Sequence, residues 1–188
     1  MTSDADAPPL NSEAEIPSRR RGIGLCLSGG GFRATLFHAG VMQRLSELGV
    51  AGRSDFETVA SVSGGSIAAA QWAVAEAQVK GRTIDFGRDV VRPLLALTRR
   101  DIRTGAMAQK YLLPWNWFRG AFVVNNMVEK FEGAFGKGTL DLLPERPRFV
   151  FCGTDMAFGA NFVFERDRVG SYLAGYAEAS GFSLAQAV

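Results

Sequence analysis

Ala60-Ser61-Val62-Ser63-Gly64-Gly65-Ser66 joins an apolar run, Phe56 to Val62, to the alanine-rich stretch Ile67-Ala68-Ala69-Ala70-Gln71-Trp72-Ala73-Val74. The first run reads as a buried strand and the second as a helix. A serine in a sharp turn between strand and helix has the form of the nucleophile elbow of α/β hydrolytic enzymes. Such a turn forces the serine into a strained backbone, and small neighbours let strand and helix pass close beside it. Gly64 and Gly65 supply that room. The usual pattern is G-x-S-x-G, and Ser61 stands in place of its first glycine.

About thirty residues upstream, Ile23-Gly24-Leu25-Cys26-Leu27-Ser28 alternates like a strand and ends in Gly29-Gly30-Gly31-Phe32-Arg33. A helix follows, on which Phe37, Val41, Leu45 and Leu48 fall at helical spacing and predict its buried face. The glycines therefore sit in a strand-to-helix turn, where free backbone N–H groups at a helix N-terminus attract negative charge. An acyl-transfer nucleophile needs such donors for the oxyanion of its tetrahedral intermediate. A glycine turn after the first strand and a serine elbow after the second form a more specific signal than either alone.

On these two motifs the chain resembles the patatin-like phospholipases. Weaker echoes follow in Leu142-Leu143-Pro144, in Phe149-Val150-Phe151 leading into Thr154-Asp155, and in Phe182-Ser183-Leu184-Ala185-Gln186-Ala187-Val188. The resemblance runs from about residue 23 to the end. It implies hydrolysis of lipid acyl esters by a serine–aspartate dyad without histidine. Ser63 matches the serine, Gly29, Gly30 and Gly31 match the oxyanion glycines, and Arg33 matches the basic residue after them. Ala34 stands where the family often has glycine, and the family's Asp-Gly-Gly or Asp-Gly-Ala motif does not occur in this chain. The fold expected is three-layer α/β/α, a patatin-like hydrolase fold with a mostly parallel central sheet and helices on both faces.

Ser183-x-x-Gln186 has the form of a capping box that opens a helix two residues before the chain stops. A helix that short does not sustain itself. The expectation is an N-terminal part of a longer domain, cut before its general base. Residues 1–22, with Pro8, Pro9, Pro17 and Arg19-Arg20-Arg21, read as a disordered leader to a domain over 23–188.

The 188 residues are 47% apolar, enough for one sizeable core. A net charge of +2, with no basic cluster interleaved with aromatics, argues against nucleic acid. No apolar run is long enough to span a bilayer. Cys26 and Cys152 lie in apolar strands and read as core thiols, which suits a cytoplasmic protein. Two cysteines and one histidine are too few ligands for a metal site, and no cofactor is expected. The expected partner is a lipid or acyl-ester substrate, with peripheral membrane contact.

Residues 83–137 read as a mostly helical insertion, with Pro93 at the start of a helix or kinking it. Within it, Tyr111-Leu112-Leu113-Pro114-Trp115-Asn116-Trp117-Phe118 suits either a core cover or a membrane interface. Phe149–Gly153 and Phe162–Glu165 read as strands joined at Gly159-Ala160-Asn161. His38, the lone histidine, reads as structural, Asp155 as a turn residue, and Ser66 as a cap of its helix. Arg33 fixes the glycine loop, attracts an anionic head group, or is a helix-surface arginine with no role. Two other classes compete with the serine hydrolase. Gly29-x-Gly31-x-x-Ala34 also satisfies the dinucleotide fingerprint, but that site needs an acid at the end of the second strand, where Ser63 stands. A non-catalytic fragment binding lipid or a partner is the third reading.

Overall fold

The computed structural model describes residues 22–79, 83–99 and 122–188. Six strands, β1 (Ile23–Leu27), β2 (Phe56–Val62), β3 (Arg148–Asp155), β4 (Ala160–Phe164), β5 (Arg168–Ser171) and β6 (Gly175–Glu178), form one sheet in chain order. β1, β2 and β3 are parallel because a helical crossover separates each from the next. From β3 onward short turns leave room only for antiparallel pairing. The parallel arrangement expected from the sequence thus belongs to the half of the sheet that carries the elbow.

Helix α1 (Gly31–Glu47) connects β1 to β2, and α2 (Gly64–Gln78) follows the elbow. A π-helical stretch, Phe86–Val91, runs directly into α3 (Arg92–Thr98), with Pro93 in the first turn, where its missing N–H costs nothing. Next come α4 (Phe122–Phe135), a 3-10 turn at Leu140–Leu142 and α5 (Leu184–Ala187). The aromatic stretch at 111–118 and the leader up to residue 21 lie outside the described residues.

α2 is apolar around its whole circumference, which suits a helix buried on all sides. It packs on β1, β2 and β3, with Ala68, Ala69, Ala70 and Ala73 inaccessible. Trp72 is the centre of this core, its ring centroid 5.6 Å from Phe56, 5.1 Å from Phe86 and 5.7 Å from Phe149. Its indole N–H donates to Glu76 Oε1 at 2.9 Å, and burial pushes that carboxyl above its ordinary range.

Two successive right-handed crossovers in the same direction place α1 and α2 on one face of the sheet. The described residues supply that helical layer. The opposite face is read from the register: Cys26 pairs with Ala60 and Ala60 with Val150, while Val62 pairs with Cys152 and Cys152 with Val163. Paired residues share a face, and on this one Gly24, Cys26 and Val62 are exposed and Cys152 is half-buried. Cys26 and Cys152 are therefore not the core thiols expected. Strand parity turns Cys26 away from α2 into the open, and Cys152 is half-buried.

Two further expectations shift. Phe37 is 68% exposed and Leu48 also lies outside, while Thr35, His38, Ala39 and Met42 are the buried face of α1. The small Thr35 and Ala39 on that face let α1 pack against α2. The β3–β4 turn falls earlier, at 156–159, and both Ala160 and Asn161 belong to β4. The β5–β6 hairpin has no counterpart in the sequence reading, because its strands are short and contain glycine. The capping box at α5 is present in full, with Gln186 N–H donating to Ser183 Oγ at 3.2 Å and Ser183 N–H to Gln186 Oε1 at 2.8 Å. Leu184, Ala185 and Ala187 are buried, so tertiary packing holds a helix too short to hold itself.

Candidate active site

Ser63 and the three glycines come together at the carboxyl ends of the parallel strands, where open α/β sheets place their sites. Ser63 is the N-cap of α2, with φ 52° and ψ −119°. Among the described residues it is the only non-glycine with positive φ. For a residue with a Cβ that conformation costs on the order of 1–3 kcal/mol, and it persists only where the surroundings enforce it.

The surroundings are backbone. A Cβ on Gly64 would lie 2.3 Å from Gly31 O, and one on Gly65 would lie 2.3 Å from Leu27 O. A Cβ on Gly29 would meet Ser63 Cβ at 3.3 Å. The two turns therefore pack main chain against main chain, and glycine is the residue that fits. Gly30, the N-cap of α1, has φ 135°, and Gly31 has φ 65°. These angles let the loop turn sharply into the helix.

Two helix N-termini thus converge on the exposed Ser63 hydroxyl. Neither α1 nor α2 has an acidic residue in its first turn, so their partial positive charge is left for an anion. The first N–H groups of a helix have no partner within it. An oxyanion forming beside Ser63 meets that combination of free amides and positive dipole ends.

Thr35 completes the clamp, and the sequence reading missed it. Its buried hydroxyl donates to Gly64 O at 2.7 Å and lies 3.2 Å from Gly31 O, tying the elbow to the glycine turn. The available signal was a threonine one turn after Gly31. It was hidden because the predicted face of α1 ran through Phe37. His38 is buried, and its Nε2 donates to Ser28 O at 2.9 Å, with Ser28 Oγ at 3.3 Å. It braces the residue just before the glycines. Ser61 is also buried and donates to Val150 O at 3.3 Å, joining β2 to β3 behind the elbow.

Ser66 does not act as a cap. It is the third residue of α2, too short to reach back to a free amide, and its buried hydroxyl has no partner among the described residues. Asp155 accepts from Ala157 N–H and from Ser171 Oγ, each at 3.0 Å, which is the turn chemistry expected of it. Arg33 is exposed two residues into α1 and enters no ion pair among the described residues. Nor does any described carboxylate or imidazole hydrogen-bond Ser63 Oγ, since His38 is turned to Ser28 and Asp155 to its own turn. The acid a dinucleotide site would need is also missing from the end of β2. Asp55 lies at the other end of the strand, where the side-chain hydrogen bond from Arg53 holds its carboxyl below the usual range. Among the described residues no group of three or more metal-ligating side chains occurs, and no helix is long and apolar enough to cross a membrane.

A family model described as patatin-like phospholipase matches residues 25–188. Two solved structures of human GIVD cytosolic phospholipase A2 share the fold. One, in complex with methyl gamma-linolenyl fluorophosphonate, is 14% identical with a TM-score of 0.57, over 84% of this chain and 24% of that one. The other, with that inhibitor and terbium chloride, is 14% identical with a TM-score of 0.56, over 84% of this chain and 25% of that one. The chain thus spans about a quarter of the length of those structures. None of the curated proteins compared with it matches.

Proposed function

The chain belongs to the patatin-like phospholipase family, and on that premise we propose that it is a serine acyl hydrolase that cleaves lipid acyl esters through an acyl-enzyme on Ser63. The observation that carries the reading is the strained Ser63 backbone, held at φ 52° between two glycine turns and two helix N-termini. Ser63 Oγ attacks the ester carbonyl and gives its proton to a general base. The carbonyl oxygen becomes an oxyanion held by the amides of Gly30 and Gly31, with Gly29 beside them. Collapse of the intermediate breaks the ester bond, and the departing alkoxide takes up the proton. Water then attacks the acyl-serine, releasing the fatty acid and restoring the hydroxyl.

We assign the base to an aspartate downstream of residue 188. The support is local: Asp155 and His38 are engaged elsewhere, and no described carboxylate hydrogen-bonds Ser63 Oγ. Arg33, exposed beside the glycine turn, is assigned the attraction of an anionic head group. The unpaired state of Cys26 and Cys152 suits a cytoplasmic enzyme.

Labelling by a fluorophosphonate, read by mass spectrometry on a form of the chain that turns over a short-chain p-nitrophenyl ester, tests the nucleophile. Adduct is expected on Ser63 and absent in Ser63→Ala, while Ser61→Ala and Ser66→Ala still label. Undiminished labelling of Ser63→Ala would overturn the assignment.

A further inference from the structure

The row of residues that contains Ser63 can be followed across the sheet. Val62 pairs with Cys152, so Ser63 is level with Gly153, and Gly153 pairs with Phe162, Phe162 with Ser171, and Ser171 with Gly175. β3 continues two residues beyond this row, roughly 7 Å at strand rise, and turns at 156–159. β5 runs in the same direction as β3, so the β5–β6 turn at 172–174 leaves the sheet at the same edge. Both hairpin tips therefore stand at the edge of the molecule that carries the elbow.

Their composition is unusual for turns, which ordinarily use Asn, Asp, Ser, Gly or Pro to satisfy their own backbone. Met156-Ala157-Phe158-Gly159 and Tyr172-Leu173-Ala174 contain no charged residue. Met156 is 89% exposed, Phe158 58%, Tyr172 73% and Leu173 52%. The polar contacts lie beneath the tips. One Asp155 oxygen accepts from Ala157 N–H in the first tip, and the other accepts from Ser171 Oγ. Ser171 is inaccessible to solvent, and its Oγ accepts from Ala174 N–H in the second tip at 3.0 Å. A single carboxylate thus fixes both turns from below and leaves their outer surfaces largely apolar and without charge.

We propose that these two tips are the lipid-docking surface of the molecule, inserting Met156, Phe158, Tyr172 and Leu173 into the interfacial layer of a bilayer or micelle. The proposal rests on the lipid-hydrolase reading and adds to it the residues that make contact. Two separate convex projections match a deformable lipid surface, whereas a folded partner would have to offer a socket for each. With no charge at either tip, entry into the acyl boundary desolvates no ion. Tyr172 has the apolar ring and polar end that favour the interface. Docking there brings the edge that holds Ser63 and Arg33 down to the lipid head groups.

Flotation of the 188-residue chain with phosphatidylcholine vesicles, with and without phosphatidylglycerol, tests this. Binding to phosphatidylcholine alone is expected, and it persists at about 1 M salt because it is apolar. Phe158→Ser/Leu173→Ser should bind at least about tenfold more weakly, since each side chain removes substantial apolar area from water. Its thermal unfolding should be unchanged, because both positions are exposed. Phe158→Trp/Leu173→Trp should restore binding. Ser63→Ala should float like the parent, so a failure of the nucleophile assignment, read by labelling, is separate from a failure of docking. The proposal is overturned if the parent does not float, or if the serine double variant floats as well as the parent. Binding confined to anionic vesicles and lost in salt would overturn it too, as would a dimer that the serine substitutions dissolve without vesicle binding.

Discussion

At the scale of the residue, the site is built from what glycine lacks. Gly64 and Gly65 are required by distance and Gly30 and Gly31 by torsion angle, and the two requirements predict different failures. Gly65→Ala places a Cβ 2.3 Å from Leu27 O, and backbone on both sides has nowhere to go. We expect it to lower stability by a few kcal/mol, enough to unfold a marginal domain, as read by thermal melting. Gly30→Ala meets only Ala34 Cβ, at 3.2 Å, but must hold φ 135°. Its loop relaxes instead, displacing the amides. Fluorophosphonate labelling of Ser63 should slow by about one to three orders of magnitude with a modest fall in Tm. A Gly30→Ala variant that labels at the parental rate would place the oxyanion donors elsewhere.

At the scale of the element, strand parity and helix rotation decide what each segment shows to solvent. The apolar character of β1 was legible, but its two faces were not distinguished, and Cys26 lies exposed on the one turned away from α2. This face can be probed chemically. Cys26 should react readily with Ellman's reagent at neutral pH, and Cys152 several-fold more slowly. Burial pushes the Cys152 thiol up, against a smaller opposing effect of the Asn161 hydrogen bond, so less of it is the reactive thiolate. Raising the pH toward the shifted pKa should narrow the difference. Equal rates at neutral pH would contradict this account of the face. The same limit governs α1. Its helical period was plain, yet the face chosen by apolar count is the exposed one, because the face that packs against α2 carries Thr35 and Ala39 and not Phe37.

At the scale of the whole molecule, the described residues assemble the strained Ser63, the glycine turn beside it and one helical layer, and bring no carboxylate or imidazole into hydrogen-bond contact with Ser63. A neutral serine alone is a weak nucleophile. Little turnover of a short-chain p-nitrophenyl ester is therefore expected from the 188-residue chain. Extension through a downstream Asp-Gly turn should restore it in a Ser63-dependent way. Robust, Ser63-dependent turnover by the 188 residues would instead point to Asp155 or His38. The order of elements and both motifs could be read from the chain because strand, glycine turn and helix are local and each residue type carries its own backbone preference. The role of Asp155 in a turn was legible for the same reason, its nearest partner being two residues away. Other features needed the tertiary structure. Thr35 reaches Gly64 across 29 residues, Ser61 reaches Val150 across 89, and Ser171 reaches Asp155 across 16. The sequence alone determined that a serine is strained between a strand and a helix, because sterics act between neighbours. Only the tertiary structure decided what holds that strain, which sheet face exposes Cys26 and which hairpin tips share the serine's edge, because those follow from contacts between segments far apart in the chain.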